Sequence, residues 1–410
     1  MEVDTKTYIA TKVRIYPTKQ QKVMLNQALG SCRFLYNYYL AKKNEVYRQT
    51  GANFNFYACC KDLTGLKKQE DYKWLAEVNA QSLQQTLRNL ETAFLNFFRG
   101  RTKFPSFKKK SGHDSFHVPQ HFTVNQEQSF IKIPKIGVLQ FRGGDFRYIV
   151  DYRSISISRT PDGRYYASIL TEKSVPKLQQ VTKQIGIDVG IKTFASVSDG
   201  TKFDKPIRKY TKKVKYNQRQ LAKKKRGSKS RERQRLKLAR YHAKQTNELR
   251  DFHHKLSKKL VDENQVIAVE DLAVKNMMKN RKLSRAISEC GWGQFLQFLD
   301  YKCKLYGRDF VKIGRFHPSS KTCSCCGSIK EVLSLKDRQW TCADCGAVHD
   351  RDKNASTNIL MQGLNILSGL GAKSDIKQKR GEALEMLDEI SRQDKSESLT
   401  HEAVDALASW

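Results

Sequence analysis

Three carboxylates in this chain stand where a charge is out of place. Asp188 sits inside IGIDVG, among apolar residues and glycines. Glu270 closes the apolar run VIAVE, and Asp352 stands in DRDKNAS at the head of a helical pattern. An acid within or at the end of a buried strand is costly unless it is paired or bound to metal. Three such acids suit a divalent-metal site. Two Mg²⁺ ions held by carboxylates activate water on one side of a phosphate and stabilise the leaving oxygen on the other. Each acid alone also has an ordinary reading: Asp350 or Asp352 as a helix N-cap, Glu270 as one half of a strand-end ion pair. Their order, on a strongly basic chain, favours nuclease chemistry.

The cysteines supply a second pattern. Of ten, Cys323 and Cys326 form one C-x-x-C, and Cys342 and Cys345 form another after 15 intervening residues. Two such knuckles complete a tetrahedron around one structural Zn²⁺. Gly327 and Gly346 follow each knuckle, where a tight turn is needed. Cys325 lies inside the first knuckle and could compete, but the Cys323–Cys326 pair carries the right spacing. Cys32, Cys59, Cys60, Cys290 and Cys303 lack any such spacing and read as core thiols.

The chain of 410 residues holds 76 Lys and Arg against 41 Asp and Glu, a formal net charge of +35. Self-repulsion of that size calls for an anionic partner, and a polyphosphate backbone is the usual one. The composition excludes a small disulfide scaffold, a collagen-like chain and an integral membrane protein, since no apolar run approaches the ~20 residues that span a bilayer. The opening MEVDTKTYIATK lacks a signal-peptide core. A cytoplasmic, nucleoid-associated location with reduced thiols is expected.

The elements that must position these groups are legible in outline. Residues 7–16 read as a strand ended by Pro17, with Thr18 as N-cap of a helix. The pattern stays helical to about residue 100, and Leu83, Leu87, Leu90, Phe94 and Phe97 share one helical face. From 115 to 172 the period changes to two, with a hairpin around Pro161-Asp162-Gly163. Two short strands occupy 184–198. Residues 202–259 hold 23 Lys or Arg and four acids in helix-like stretches, ending with Leu249, Phe252, Leu256 and Leu260 on one face. VIAVE reads as a buried strand, and a helix follows from Trp292 to Tyr306. The segment 371–410, with nine acids and six bases, is weakly patterned and reads as a disordered tail.

These residues resemble the TnpB family of transposon-encoded, RNA-guided DNA nucleases, compact relatives of type V CRISPR effectors. The resemblance rests on GIDVGIKTFA, VIAVEDLAVKNM, NRKLSRAISECGWGQFLQFLDYK, PSSKTCSCCG, WTCADCG and HDRDKNASTNI. RIYPTKQQ, GSCRFLYNYYLA and LQQTLRNLETAFLNFF extend it towards the N-terminus. It implies an α+β multidomain chain. A wedge-like β-barrel (1–17 and 104–182) would carry a helical recognition insertion (18–103). A RuvC-like nuclease of ribonuclease H fold (183–314 and 349–370) would carry a zinc ribbon at 315–348. Asp188, Glu270 and Asp352 would hold two catalytic Mg²⁺, and the four cysteines one Zn²⁺. Arg338, before the second knuckle, would neutralise the phosphate in the transition state.

Partners follow from the same resemblance: a guide RNA from the element's end and a target DNA, with one protein monomer per RNA. Lys103, Lys108, Lys109 and Lys110 are expected on phosphates. Lys212, Lys213, Lys223, Lys224, Lys225 and Arg226, within the run to Arg240, are expected on structured RNA or the guide–target duplex. Gln81, Gln84 and Gln85 suit base-edge contact with adenine in a short motif beside the target. No helix-turn-helix signature, finger array or repeated reading module appears, so a guide would read the target. The competing readings are a non-cleaving regulator and an autonomous transposase or resolvase of ribonuclease H fold. Transposases usually order their acids Asp, Asp, Glu, against Asp, Glu, Asp here.

Overall fold

The computed structural model describes residues 7–110, 114–334 and 337–369. The expected tail at 371–410 lies outside them. Two compact units divide the chain, one formed by the residues up to Pro176 with Arg208–Asn247, the other by Lys177–Ile207 and the residues from Glu248 onward.

The first unit begins with β1 (Thr7–Ile15) and helix α1 (Lys19–Thr50). Pro17 cannot continue the strand's donor pattern. Thr18 then closes a capping box with Gln21, each residue's side chain meeting the other's backbone N–H. Gly51, at φ +69°, ends α1 in the left-handed region that an L side chain resists. Helices α2 (Phe56–Leu66) and α3 (Ala80–Phe98) follow, separated by a 3₁₀ turn at Glu70–Glu77. In α3, Leu83, Leu87 and Leu90 are buried as the spacing predicts.

Strands β2 (Asp114–Val118), β3 (Thr123–Asn125), β4 (Phe130–Ile133), β5 (Gly137–Arg142), β6 (Ile149–Arg159) and β7 (Tyr165–Lys173) join β1. Their order is β2-β6-β7-β1-β5-β4-β3. β6 and β7 form the hairpin around Pro161-Asp162-Gly163. Bulges in β6, between Ile149 and Asp151 and between Tyr152 and Ser154, bend the sheet. One side carries Val13, Ile15, Ile155, Ile157, Ala167 and Ile169 into a core shared with Leu25, Leu35 and Tyr39 of α1. Helix α4 (Thr211–Ala222) and the first half of α5 (Lys229–Glu263) complete this unit.

The second unit is built on β8 (Gln184–Val189), β9 (Ala195–Val197), β10 (Lys202–Phe203), β11 (Val266–Glu270) and β12 (Asp309–Ile313). Their order is β10-β9-β8-β11-β12. The β8–β9 and β9–β10 pairs are antiparallel, while β11 runs parallel to both β8 and β12. Between β11 and β12 come α6 (Val274–Met277), α7 (Ser284–Cys290) and α8 (Trp292–Tyr306).

Alternation sorts the two faces of this sheet. Ile185, Ile187, Ile267 and Val269 pack with Leu256 and Leu260 of α5 and with Phe295 and Leu299 of α8. Of the expected α5 stripe, Leu249 and Phe252 are only half-buried, and His253 is fully buried instead. The other face, with Gly186 and Ala268, receives α9 (Arg351–Leu367). A Cβ on Gly186 would lie 2.0 Å from the Ser356 carbonyl oxygen and 2.6 Å from the Leu360 nitrogen. A Cβ on Gly363 would lie 2.5 Å from Ala268 Cβ. Small residues on both partners let the helix lie almost on the backbone of the sheet. Between β12 and α9 stand the cysteine-bearing loops and the short pair β13 (Gln339–Thr341) and β14 (Val348–Asp350). No helix of the described residues is long and apolar enough to cross a membrane.

Candidate active site

The alternation that buries Ile185 and Ile187 turns Asp188 toward the face that α9 covers. Val266 pairs with Gln184 and Ala268 with Gly186. The same parallel register brings Glu270, at the end of β11, beside Asp188. Asp352 arrives from a different direction, in the first turn of α9. Asp350 caps that helix by accepting from the Asp352 and Lys353 nitrogens, both at 3.0 Å. Capping thus falls to Asp350 and leaves the Asp352 side chain free to face the strands. Lys202 Nζ holds the other side of Asp350 at 2.9 Å.

The electrostatics record the gathering. Burial, then the charges of Glu270 and Asp352, push the Asp188 carboxyl up to about 7, while Arg351 pulls it down. A carboxylate raised by two others has a deficit of positive charge around it. The oxygens are nonetheless spread. Among the described residues, the groups of three or more ligand atoms lying mutually within 4.8 Å involve cysteines and His349, not these acids. Ser319 Oγ donates to Glu270 Oε1. Arg338 Nη1 stands 3.5 Å from Asp352 Oδ1. His317 also feels Glu270, but burial dominates and lowers its pKa.

Cys323, Cys326, Cys342 and Cys345 form a cluster that can hold a metal ion. Sulfur separations are 3.6 Å for Cys323–Cys345 and 3.6 Å for Cys326–Cys342. A tetrahedral ion with Zn–S bonds of about 2.3 Å places its sulfurs about 3.8 Å apart. Each knuckle closes with the expected glycine in the left-handed region, Gly327 at φ +80° and Gly346 at φ +71°. Backbone N–H groups of Cys345 and Asp344 pull the Cys342 thiol down to about 6, towards the thiolate that binds metal. Cys323, Cys325 and His349 make an overlapping set. His349 was not apparent from spacing. It lies one residue before the Asp350 cap, with Nε2 3.0 Å from Cys323 Sγ and its ring against Trp340.

The basic and polar candidates are dispersed over the first unit. Lys103, Lys108, Lys109 and Lys110 lie on an exposed loop after α3. The backbone of Lys108 is tied to Asn37 at 2.7 and 2.9 Å, and its Nζ stands 3.9 Å from the centre of the Tyr36 ring. Gln84 is exposed, and Gln81 and Gln85 are half-buried. Gln81 Oε1 is buried with no partner, and Gln85 donates to Asn89 at 3.2 Å. Lys212 and Lys213 are exposed on α4; Lys223, Lys225 and Arg226 are exposed on the turn after it. Lys224 donates to Ser230 at 2.7 Å.

A carboxylate cluster within a chain of charge +35 marks the class of proteins that handle polyphosphate backbones. Comparison with known proteins narrows the class. The chain is 39% identical over 365 residues to a "Putative RNA-guided DNA endonuclease" of Streptomyces pristinaespiralis, covering 87% of this chain and 89% of that one. It is 31% identical over 378 residues to the "Putative RNA-guided DNA endonuclease InsQ" of Escherichia coli (strain K12), covering 88% and 93%. A "TnpB-like protein L770" of Acanthamoeba polyphaga mimivirus is 25% identical over 389 residues, covering 86% and 73%. The chain belongs to the TnpB family.

Family models match in three places: "Probable transposase" at residues 168–281, "Cas12f1-like, TNB domain" at 292–359 and "Helix-turn-helix domain" at 5–52. Within the last range the described residues form one strand and one unbroken helix, so the name does not fit the fold found here. A solved chain from a cryo-EM structure titled as a Cas12f1–sgRNA–target DNA complex shares the fold. Its TM-score is 0.50 at 13% identity, covering 86% of this chain and 98% of that one.

Proposed function

We propose that this chain is an RNA-guided DNA endonuclease of a transposable element, and that Asp188, Glu270 and Asp352 hold two Mg²⁺ for phosphodiester hydrolysis. The observation that carries the reading is the convergence of three carboxylates from β8, β11 and α9, where burial, then the charges of Glu270 and Asp352, raise Asp188 to about 7. Hard oxygen donors in mutual repulsion suit Mg²⁺. Their spread beyond one ion's shell suits two ions rather than one. Bound Mg²⁺ would supply an activated water and charge compensation at the scissile phosphate.

The chain's own groups do the positioning. Paired strands fix Asp188 beside Glu270, the α9 cap fixes Asp352, and Ser319 orients the Glu270 carboxylate. Arg351 and Arg338 stand close enough to the acids to meet a phosphate there. The four cysteines would hold one structural Zn²⁺, an assignment their sulfur spacing supports.

On this reading the second unit's β10-β9-β8-β11-β12 sheet is the RuvC-like core of ribonuclease H fold, interrupted by a zinc ribbon near 315–348. The bent sheet of the first unit is the wedge-like barrel, with its helical insertion at 18–103. Exposed lysines of the first unit would carry RNA and DNA backbones, and the α3 glutamines would read a short flanking motif.

Exchanging the guide segment of the co-purified RNA tests the reading. Cleavage should move to the new target, and Asp188→Ala, Glu270→Ala or Asp352→Ala should abolish it without loss of binding. Cutting that stays at the old sequence, or survives removal of the RNA, would instead identify an autonomous transposase or resolvase.

A further inference from the structure

Asn354 and Asn358 lie one turn apart on α9, only 2% and 5% exposed. Burying an amide is costly unless both of its ends are paired. Asn354 Oδ1 accepts from the Ser324 nitrogen at 2.9 Å, and its Nδ2 donates to the Thr322 carbonyl at 2.7 Å. Asn358 Nδ2 donates to the carbonyls of Ser319 at 2.8 Å and Thr322 at 2.6 Å. Thr322 and Ser324 are the residues on either side of Cys323. Ser319, four residues before it, is the residue whose hydroxyl meets Glu270. The first cysteine knuckle is therefore fastened on one side to the helix that presents Asp352, and on the other to Glu270. His349 adds a third fastening, from Cys323 Sγ to the strand that leads into the α9 cap.

We propose that Asn354 and Asn358 are positioning residues that couple the two metal sites. An ion at the four cysteines sets where Asp352 stands relative to Glu270. The proposal rests on the reading of the acids as a metal centre. A knuckle draws its folding energy from its ion. Without that ion the Ser319 and Thr322 carbonyls lose their fixed place, and the two acids lose their common reference. Such a coupling acts equally in both directions.

The test uses the full chain free of nucleic acid, and reads binding rather than cleavage. Mn²⁺ at the acids is titrated by electron paramagnetic resonance, with Asp188→Asn as the blank. Co²⁺ at the cysteines is followed by its thiolate charge-transfer absorption. Asn354→Ala and Asn358→Ala should each weaken Mn²⁺ roughly tenfold or more, the usual effect of losing a group that orients metal ligands. The thiolate–Co²⁺ absorption should persist. Chelating the cysteine-bound ion from wild type should weaken Mn²⁺ by a similar factor, and add little in Asn354→Ala. Ser319→Ala leaves the helix ties intact and should weaken Mn²⁺ by a smaller factor, so a poorly folding asparagine variant does not leave the question open. Mn²⁺ affinity within about twofold of wild type in all three variants, or after chelation, would overturn the coupling. Absence of any Mn²⁺ site that Asp188→Asn removes would overturn the acidic centre itself, and the coupling with it.

Discussion

The Asp188 carboxyl ionises near pH 7 in the folded chain, against an ordinary value of 3.8. Between those values the fold binds a proton that the unfolded chain releases, so the stability of the metal-free protein falls as pH rises through that window. The thermal midpoint should therefore drop between about pH 4 and pH 7. Asp188→Asn should flatten that drop, and Mg²⁺ should raise the midpoint at pH 8 by mass action. Equal pH slopes in wild type and variant would remove Asp188 as the cause. Asp188 and Glu270 stood out in the sequence because each sets a charge against apolar neighbours, and Asp352 because it heads a helical pattern. Asn354, Asn358 and Ser319 did not. Asparagines in a helix pattern look like its wet face, and only the packing of α9 shows them buried. His349 was hidden for another reason, since the C-x-x-C spacing already satisfied four-coordination without it.

At the scale of elements, the contact between α9 and the sheet depends on the absence of side chains. Gly186→Ala must push Ser356 and Leu360 away, at a cost of at least about 1–3 kcal/mol. It should lower the thermal midpoint and, by displacing Asp352, reduce cleavage. Gly293→Ala on α8 is the control. Its Cβ meets nothing within 4 Å, and in the first turn of α8 alanine loses less backbone freedom than glycine, so stability should hold or rise slightly. If both variants melt like wild type, the close approach is not structural. The cysteine loops carry a parallel prediction. Elemental analysis should find one zinc per wild-type chain, lost in Cys323→Ser or Cys342→Ser and kept in Cys325→Ser. The strand–Pro–Thr start of α1, the α3 face and the β6–β7 hairpin were readable from period and turn chemistry. The role of Gly186 was not, because a glycine inside a strand motif does not say whether a turn, a ligand or a helix needs the space.

For the molecule as a whole, +35 should dominate how it holds nucleic acid. Replacing Lys223, Lys224, Lys225 and Arg226 with Ala should weaken RNA binding. It should also lower the slope of log K against log salt by up to roughly 3, as four phosphate contacts would. An unchanged slope would place that turn away from the backbone. The charge was plain from composition, but the chain's division into units was less so. One helix, α5, contributes its first half to one unit and its second half to the other, and helical periodicity carries no mark at the crossing. The order of parts along the chain also sets a timetable. β8 leaves the ribosome about 160 residues ahead of the helix that covers it, a delay of roughly 8–30 s at 5–20 residues per second. During that interval the Gly186 face of β8, joined about halfway through by Ala268 of β11, waits uncovered, a natural client for a chaperone. On the proposed reading, a nascent chain stalled before Asp352 already displays the basic helices but lacks one of the three acids, so it would hold RNA before it could cut.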